Sequence, residues 1–490
     1  MDALDLLVIG GGITGLATAR LAARNGISVA LVERADLASG ASSASSHMLH
    51  GGLRYLEHGR LRLVGQSLRE RAAVSRMTRE LARPMRFLVP LYRGGRVPPW
   101  KLRLGLALYD ALADGSGFER HAWLDARAAR DAEPALADAG LRGAGRYADG
   151  VMDDARLAVA VARDAAAHGA AIATWTEAVA ARRVPSRGAR GWAGSIEIAA
   201  KDRIADTERS FRARVVMNAA GPWADAVRAL LAPACGAGAS GAPLLRPSRG
   251  AHLVYPALTR EHALLLLAGA DGRPFFVVPF AGRSLVGTTE VEVPSPPPAD
   301  ALRPSLGEVR YLRAELARAL PASAALRPLA VYAGVRPLLS GGEEVGRASR
   351  EHRAIAEGAV VTIAGGKYTT FRVMARDAMR LVARALGRDP RSIRDDDAPL
   401  PAPAELAADP EALAARAARE EFARRLEDVM RRRSLLWLED DRGRAAAPRV
   451  ARGLAQVLGW SAERARREVE AYESALADEE ALIARSAEGA

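Results

Sequence analysis

Lysine is almost missing from this chain. Lys101, Lys201 and Lys367 are the only lysines among 70 Lys and Arg residues, so arginine carries nearly all the positive charge. Together with the abundance of alanine, this is a pattern that codon bias often produces, and the formal net charge of +12 is by itself a weak argument for nucleic acid. A single cysteine, Cys235, excludes an internal disulfide and a cysteine-ligated iron–sulfur cluster. No metal is expected. The longest charge-free stretch, between Arg228 and Arg246, is full of Gly, Ala and Pro and reads as a loop, not a membrane span. Asp2 and Asp5 precede the first apolar run with no basic segment before them, so no signal peptide is expected. These absences point to a cytoplasmic chain whose membrane contact, if any, is peripheral.

What is present is enough for a large core. The chain has 490 residues, 49% of them hydrophobic, which suits two or three folded domains. DLLVIGGGITGLATARLAARNGISVALVERADL, residues 5 to 37, reads as a buried strand, Gly10-x-Gly12-x-x-Gly15, an amphipathic helix, and a second strand ending at Glu33. Glycines at these places allow a tight turn and close approach of the backbone to a pyrophosphate, and the helix start offers its N–H groups to it. Glu33 is placed to accept from a ribose diol, and with Arg34 beside it this motif leaves FAD or NAD open. Two later segments favour FAD. ARVVMNAAGPWADAV (213 to 227, with Gly221) and GAVVTIAGGKYTTFRVMARDAM (358 to 379) repeat the strand–glycine–helix format, the second helix beginning near Thr369. One dinucleotide domain assembled from distant pieces is how large flavoproteins enclose their cofactor.

The expected fold is α/β: a Rossmann-like FAD-binding domain from 1–80, 145–230 and 330–395, and an antiparallel-sheet, substrate-binding and membrane-facing domain from 81–144 and 231–329. A C-terminal α-helical domain follows over 400–490. AHLVYP, ALLLLA, FFVVPF and SLVG, between residues 251 and 287, read as strands of the antiparallel sheet. Residues 294 to 304 form a proline-rich connector, and the prolines and acids of 389 to 410 mark a boundary. Trp437 and Trp460 are expected to anchor the helical core.

SSHMLHGGLRYL, residues 45 to 56, fits no regular element: two histidines, a Gly-Gly pair, then Arg54 and Tyr55. With VIGGGITG, MDDARL, NAAGPW, VGTTE, YAGVRPL and AGGKYTTFR, it runs in an order that resembles the FAD-dependent, respiratory glycerol-3-phosphate dehydrogenases over roughly residues 5 to 375. The sequence departs from that family at His47, often lysine, and at Glu290, usually aspartate. The resemblance implies oxidation of sn-glycerol 3-phosphate to dihydroxyacetone phosphate, with electrons passed to a membrane quinone.

On that basis each odd residue has an expected part. A dianionic phosphate needs fixed donors, and Arg54, Tyr55, Arg336 and Lys367 are suited to supply them. Thr289 and Arg350 resemble further substrate-site positions. His50 is the candidate base for the C2 hydroxyl proton, with Arg336 beside it in the catalytic set. His47 and His58 are expected to be solvent-facing or hydrogen-bonded. The cofactor set is Gly10, Gly12, Gly15, Glu33, Arg34, Ser42, Ser43, Gly221, Gly366, Lys367 and Thr369. The serines at 42, 43, 45 and 46 read equally well as a helix cap or as contacts to cofactor oxygens.

Residues 81 to 109 hold six basic residues and no Asp or Glu. Phe87, Tyr92 and Trp100 suit headgroup depth, and Leu102, Leu106 and Tyr109 form a stripe that could lie on an anionic leaflet on the inner face of the cell membrane. Competing readings are an oxidase passing electrons to oxygen, another amine or hydroxy-acid flavoenzyme, and a flavoprotein acting on tRNA. No arginine-rich tail or aromatic-interleaved basic strip supports the last, so no nucleic acid is expected. Self-association into a homo-oligomer stays open.

Overall fold

Leu6–Ile9, Val29–Val32 and Val360–Gly365 are buried at every position, the mark of strands covered on both faces of a parallel sheet. In a computed structural model describing residues 3–185, 194–235, 242–341, 351–395, 397–403 and 409–488, they are the centre of such a sheet. Its order is His352–Glu357, Val360–Gly365, Thr207–Asn218, Leu4–Ile9, Val29–Val32 and Ala171–Ala173. Pairing is parallel from Val360–Gly365 to Ala171–Ala173, and His352–Glu357 closes one edge antiparallel. Alternation then divides the core. Leu6 and Val8 pack towards helices Ile13–Arg24, Asp154–Ala167 and Phe371–Ala385, whereas Leu7 and Ile9 pack towards helix Ala224–Cys235.

The second sheet has ten strands, antiparallel except where Ala263–Leu267 runs beside Ala82–Tyr92. The four strands expected between residues 251 and 287 are present as Ser248–Pro256, Ala263–Leu267, Pro274–Phe280 and Arg283–Gly287. The long partners Ala82–Tyr92 and Leu141–Met152, paired from Ala82↔Met152 to Tyr92↔Leu141, were not expected. Pro84, Pro90 and the arginines at 83 and 86 hide the alternation in the first of them.

The two sheets exchange chain at Met152 and Arg336, where the sequence pattern places borders at 145 and 330. Each strand simply runs on to its natural stop, and at the first of these Asp153 caps the next helix by accepting from the Arg156 N–H. Beyond residue 409, helices Pro410–Glu420, Leu426–Arg432, Ala447–Leu458 and Ala462–Arg485 share a core of their own. Trp460 packs on that core. Trp437 instead meets Tyr332 of the second sheet edge-on, ring centroids 6.0 Å apart.

Candidate active site

The glycine cradle is built by exclusion. A Cβ on Gly10 would lie 2.6 Å from the Ala219 carbonyl oxygen, and one on Gly15 would lie 2.0 Å from the Gly10 oxygen. Only a bare backbone lets these turns nest. The helix Ile13–Arg24 starts above them with no acid in its first turn, leaving its positive end for an anion. Ser42 Oγ accepts from the Ile13 N–H at 3.0 Å, so this serine serves the helix start, whereas the Ser43 N–H makes a backbone turn to the Gly40 carbonyl. Glu33 accepts from the N–H groups of Gly11 at 2.7 Å and Ala35 at 2.9 Å. Burial raises its pKa, with those two N–H groups pulling the other way. Arg34 turns from the cradle towards Glu177, 3.5 Å away. Gly221 opens the short turn Gly221–Trp223 with a positive φ of 56°.

The second half of the site gathers cations from three distant pieces. Lys367 Nζ donates to the carbonyls of His50 and Gly51, each at 3.3 Å, and lies 5.3 Å from the centre of the Tyr55 ring. The Arg54 guanidinium lies 5.3 Å from the same ring. Burial opposes the Arg54 charge, but Tyr55 and Glu290 outweigh it and raise the pKa. Glu290 in turn stands 3.9 Å from Arg336, whose guanidinium also donates to Thr288 Oγ1 at 2.6 Å and to the Thr289 carbonyl at 3.2 Å. The His50 backbone N–H donates to Thr369 Oγ1 at 3.3 Å. Gly51 beside it has no room for a side chain: a Cβ would meet the Tyr109 hydroxyl at 2.4 Å. Gly366, with φ of 87°, turns the chain directly before Lys367.

His252 escaped the sequence reading. It lies on Ser248–Pro256 opposite Tyr332 and Gly287, stacked on Tyr332 with centroids 4.8 Å apart. Its Nε2 meets Ser46 Oγ at 2.8 Å, and its Nδ1 has no hydrogen-bond partner among the described residues. Burial first, then Arg336 and His47, push its pKa well below the usual histidine value. Bare positions surround it. A Cβ on Gly287 would strike the His252 ring, and one on Gly250 would strike Arg336 and Thr288. A lone histidine in the apolar part of the strand, AHLVYP, was the available signal. His47 is hydrogen-bonded through Nδ1 to the Met152 carbonyl, buried against Phe280, while His58 is exposed.

Three expectations remain. Thr289 does not offer its hydroxyl to a ligand: the group accepts from the Ala251 N–H and donates to Glu308, both at 2.8 Å, and the residue is buried. Its carbonyl holds Arg336 instead. Arg350 lies outside the described residues. In helix Pro99–Leu112, Leu102, Leu106 and Tyr109 are core residues, as is Phe87, so that stripe cannot meet lipid. The outward stripe is Trp100, Leu104 and Leu108, exposed by 67%, 64% and 37%. Beside it runs a groove of about 1250 Å³ from Arg54 and Glu290 past Leu91 and Leu265 to Leu104.

The family model described as "FAD dependent oxidoreductase" matches residues 5–372, and "C-terminal domain of alpha-glycerophosphate oxidase" matches 393–465. "Glycerol-3-phosphate dehydrogenase 2" of Mycobacterium bovis is 32% identical over 530 residues, covering 96% of this chain and 88% of that protein. The chain belongs to the FAD-dependent glycerol-3-phosphate dehydrogenase family. The solved glycerol-3-phosphate dehydrogenase of Bacillus halodurans, complexed with FAD, shares the fold at a TM-score of 0.72 and 23% identity, over 97% of this chain and 95% of that one. L-alpha-glycerophosphate oxidase from Mycoplasma pneumoniae follows at 0.59 and 19%, over 78% and 95%. FAD is the cofactor of this family member, and the glycine cradle, the acid-free helix start and Glu33 fit it.

Proposed function

We propose that this dehydrogenase-family chain oxidises sn-glycerol 3-phosphate to dihydroxyacetone phosphate and delivers the electrons to a membrane quinone. The observation that carries the substrate is the meeting of Arg54, Arg336 and Lys367 around Tyr55 and Glu290. Three cations converging on one small space suit a phosphate dianion, for which guanidinium forks and an ammonium are complementary donors. The names of the relatives, two dehydrogenases and an oxidase of the same compound, support that substrate.

In this reading the phosphate replaces part of the Glu290 contact with Arg54 and Arg336. FAD, when bound, supplies the acceptor for the C2 hydride. His50 takes the proton of the C2 hydroxyl, its backbone fixed by Thr369 and Lys367. His252, kept neutral by burial and by Arg336, is the nearest second imidazole to that arginine's strand. Glu33 takes the FAD ribose, and the start of Ile13–Arg24 takes the pyrophosphate.

A lipid-borne acceptor is supported by the exposed stripe Trp100–Leu104–Leu108 and by the groove that joins it to Arg54. Among the described residues no helix is long and apolar enough to cross a membrane, so the contact proposed is peripheral. The oxidase reading draws on the likeness to the Mycoplasma pneumoniae enzyme. Assay of purified protein with glycerol 3-phosphate separates them: reduction of a quinone analogue with little peroxide supports the dehydrogenase, and stoichiometric peroxide from oxygen alone selects the oxidase. Equal flavin reduction by plain glycerol would sink the phosphate site itself.

A further inference from the structure

Three residues after Glu33, Asp36 is completely buried, and its partners come from the far end of the chain. Arg433 Nη2 donates to Asp36 Oδ1 at 2.7 Å, while Arg432 Nε and Arg433 Nη1 both donate to Oδ2. Arg432 also donates to Asp428 Oδ1 at 3.1 Å. Asp428 Oδ2 then accepts from Trp175 Nε1 at 3.1 Å, and the Trp175 backbone N–H donates to the Ala35 carbonyl at 2.8 Å. Both arms therefore start in the segment 428–433 and end on residues 35 and 36.

That turn shapes the cradle directly. The Ala35 N–H holds one oxygen of the Glu33 carboxylate, and the Ala38 N–H donates to the Gly11 carbonyl at 2.9 Å. A shift of Asp36 would move both, and with them the carboxylate and the glycine loop. Stability alone is a poor reason for such a cluster, because desolvating buried charges offsets most of their attraction, and apolar replacements of similar volume are often neutral. What a fork of two guanidiniums on one carboxylate does provide is a fixed position.

We infer that Arg432, Arg433 and Asp36 are positioning residues for the cofactor: the C-terminal helical unit latches the turn that presents Glu33, so FAD retention and the order of segment 426–433 are coupled. The inference rests on the proposed contact between Glu33 and the FAD ribose. By reciprocity, FAD binding must protect the latch if the latch favours FAD.

The test compares wild type, Asp36→Asn, Arg433→Lys and Glu33→Ala. FAD dissociation is read from released flavin fluorescence, apo-protein stability from its thermal midpoint, and amide exchange over residues 426–433 with and without FAD. Asp36→Asn should lower the apo midpoint, because two buried guanidiniums lose their carboxylate, and should also weaken FAD by about tenfold or more, and Arg433→Lys should weaken it less. In wild type, FAD should slow exchange in 426–433. A lowered apo midpoint with unchanged FAD affinity would make the cluster mere structural support and overturn the latch, as would unchanged exchange. If Asp36→Asn fails to fold, the wild-type exchange experiment decides. Full FAD retention by Glu33→Ala would instead overturn the ribose contact, a separate result.

Discussion

Lys367 donates to the His50 carbonyl over 3.3 Å, so the candidate phosphate ammonium and the candidate base share one hydrogen bond. Removing the ammonium should therefore disturb binding and chemistry together. Lys367→Met is expected to raise KM for glycerol 3-phosphate and lower kcat/KM by roughly 10–150-fold, the range for one charge-assisted contact. Lys367→Arg should not restore it, because a planar fork does not fit where a compact ammonium reaches two carbonyls. Steady-state kinetics on both variants check this. Wild-type behaviour of Lys367→Arg would show that charge alone is required.

The two imidazoles should separate in their pH behaviour. His50→Ala should slow flavin reduction by about 10²–10⁴-fold and remove the ascending limb of the pH profile. His252→Gln should leave that limb in place, because burial and Arg336 keep His252 neutral as pH falls. For stability the sign runs the other way from an ion pair. With the folded pKa below the ordinary 6.5, the unfolded chain binds the extra proton, so stability is complete above that value and lost as pH falls below it. The wild-type thermal midpoint should thus fall more steeply below pH 6.5 than that of His252→Gln. Parallel curves would mean that His252 does not titrate differently on unfolding.

Thr289 should matter for folding more than for substrate. Replacing it by valine strands the buried Ala251 N–H and removes the donor to Glu308 Oε1, while Ser305 and Arg249 still hold Oε2. A loss of about 1–3 kcal/mol in unfolding free energy is expected, with KM within a few-fold of wild type, since the carbonyl that holds Arg336 remains. A large KM increase at unchanged stability would return Thr289 to the substrate.

These contrasts show which features are legible along the chain. Gly10, Gly12, Gly15 and Glu33 are set by local geometry, a turn between a strand and a helix, so spacing alone exposes them. The strands of 251 to 287 declare themselves as short β-rich apolar runs separated by turns. His252 does not, because its setting comes from cross-strand register that brings Tyr332, Gly287 and Arg336 beside it. At Thr289 the sequence shows a hydroxyl, but only the fold shows that this group is held by Ala251 and Glu308 while the carbonyl meets Arg336. Asp36 is silent for a similar reason: its partners are nearly 400 residues away.

Helix Pro99–Leu112 shows the limit most directly, since it carries two apolar stripes and only packing decides which faces out. Leu102, Leu106 and Tyr109 are spent on the core, with Tyr109 donating to Asp149 at 2.6 Å. Trp100, Leu104 and Leu108, spaced by four, remain outside. Lys101 is drawn to Glu57 at 3.0 Å and Arg103 lies over the Trp123 ring, so part of the local positive charge is already engaged. Apolar insertion should then dominate over attraction to anionic headgroups, with both terms present. Trp100→Ser with Leu104→Ser is expected to abolish co-sedimentation with liposomes while leaving the reduction of a soluble dye by glycerol 3-phosphate intact. Changing Arg93, Arg96, Lys101 and Arg103 to glutamine should weaken binding to anionic vesicles and reduce its salt dependence. If the Trp100/Leu104 variant sediments like wild type, this stripe is not the membrane face, and the adjoining groove loses its support as a route for quinone.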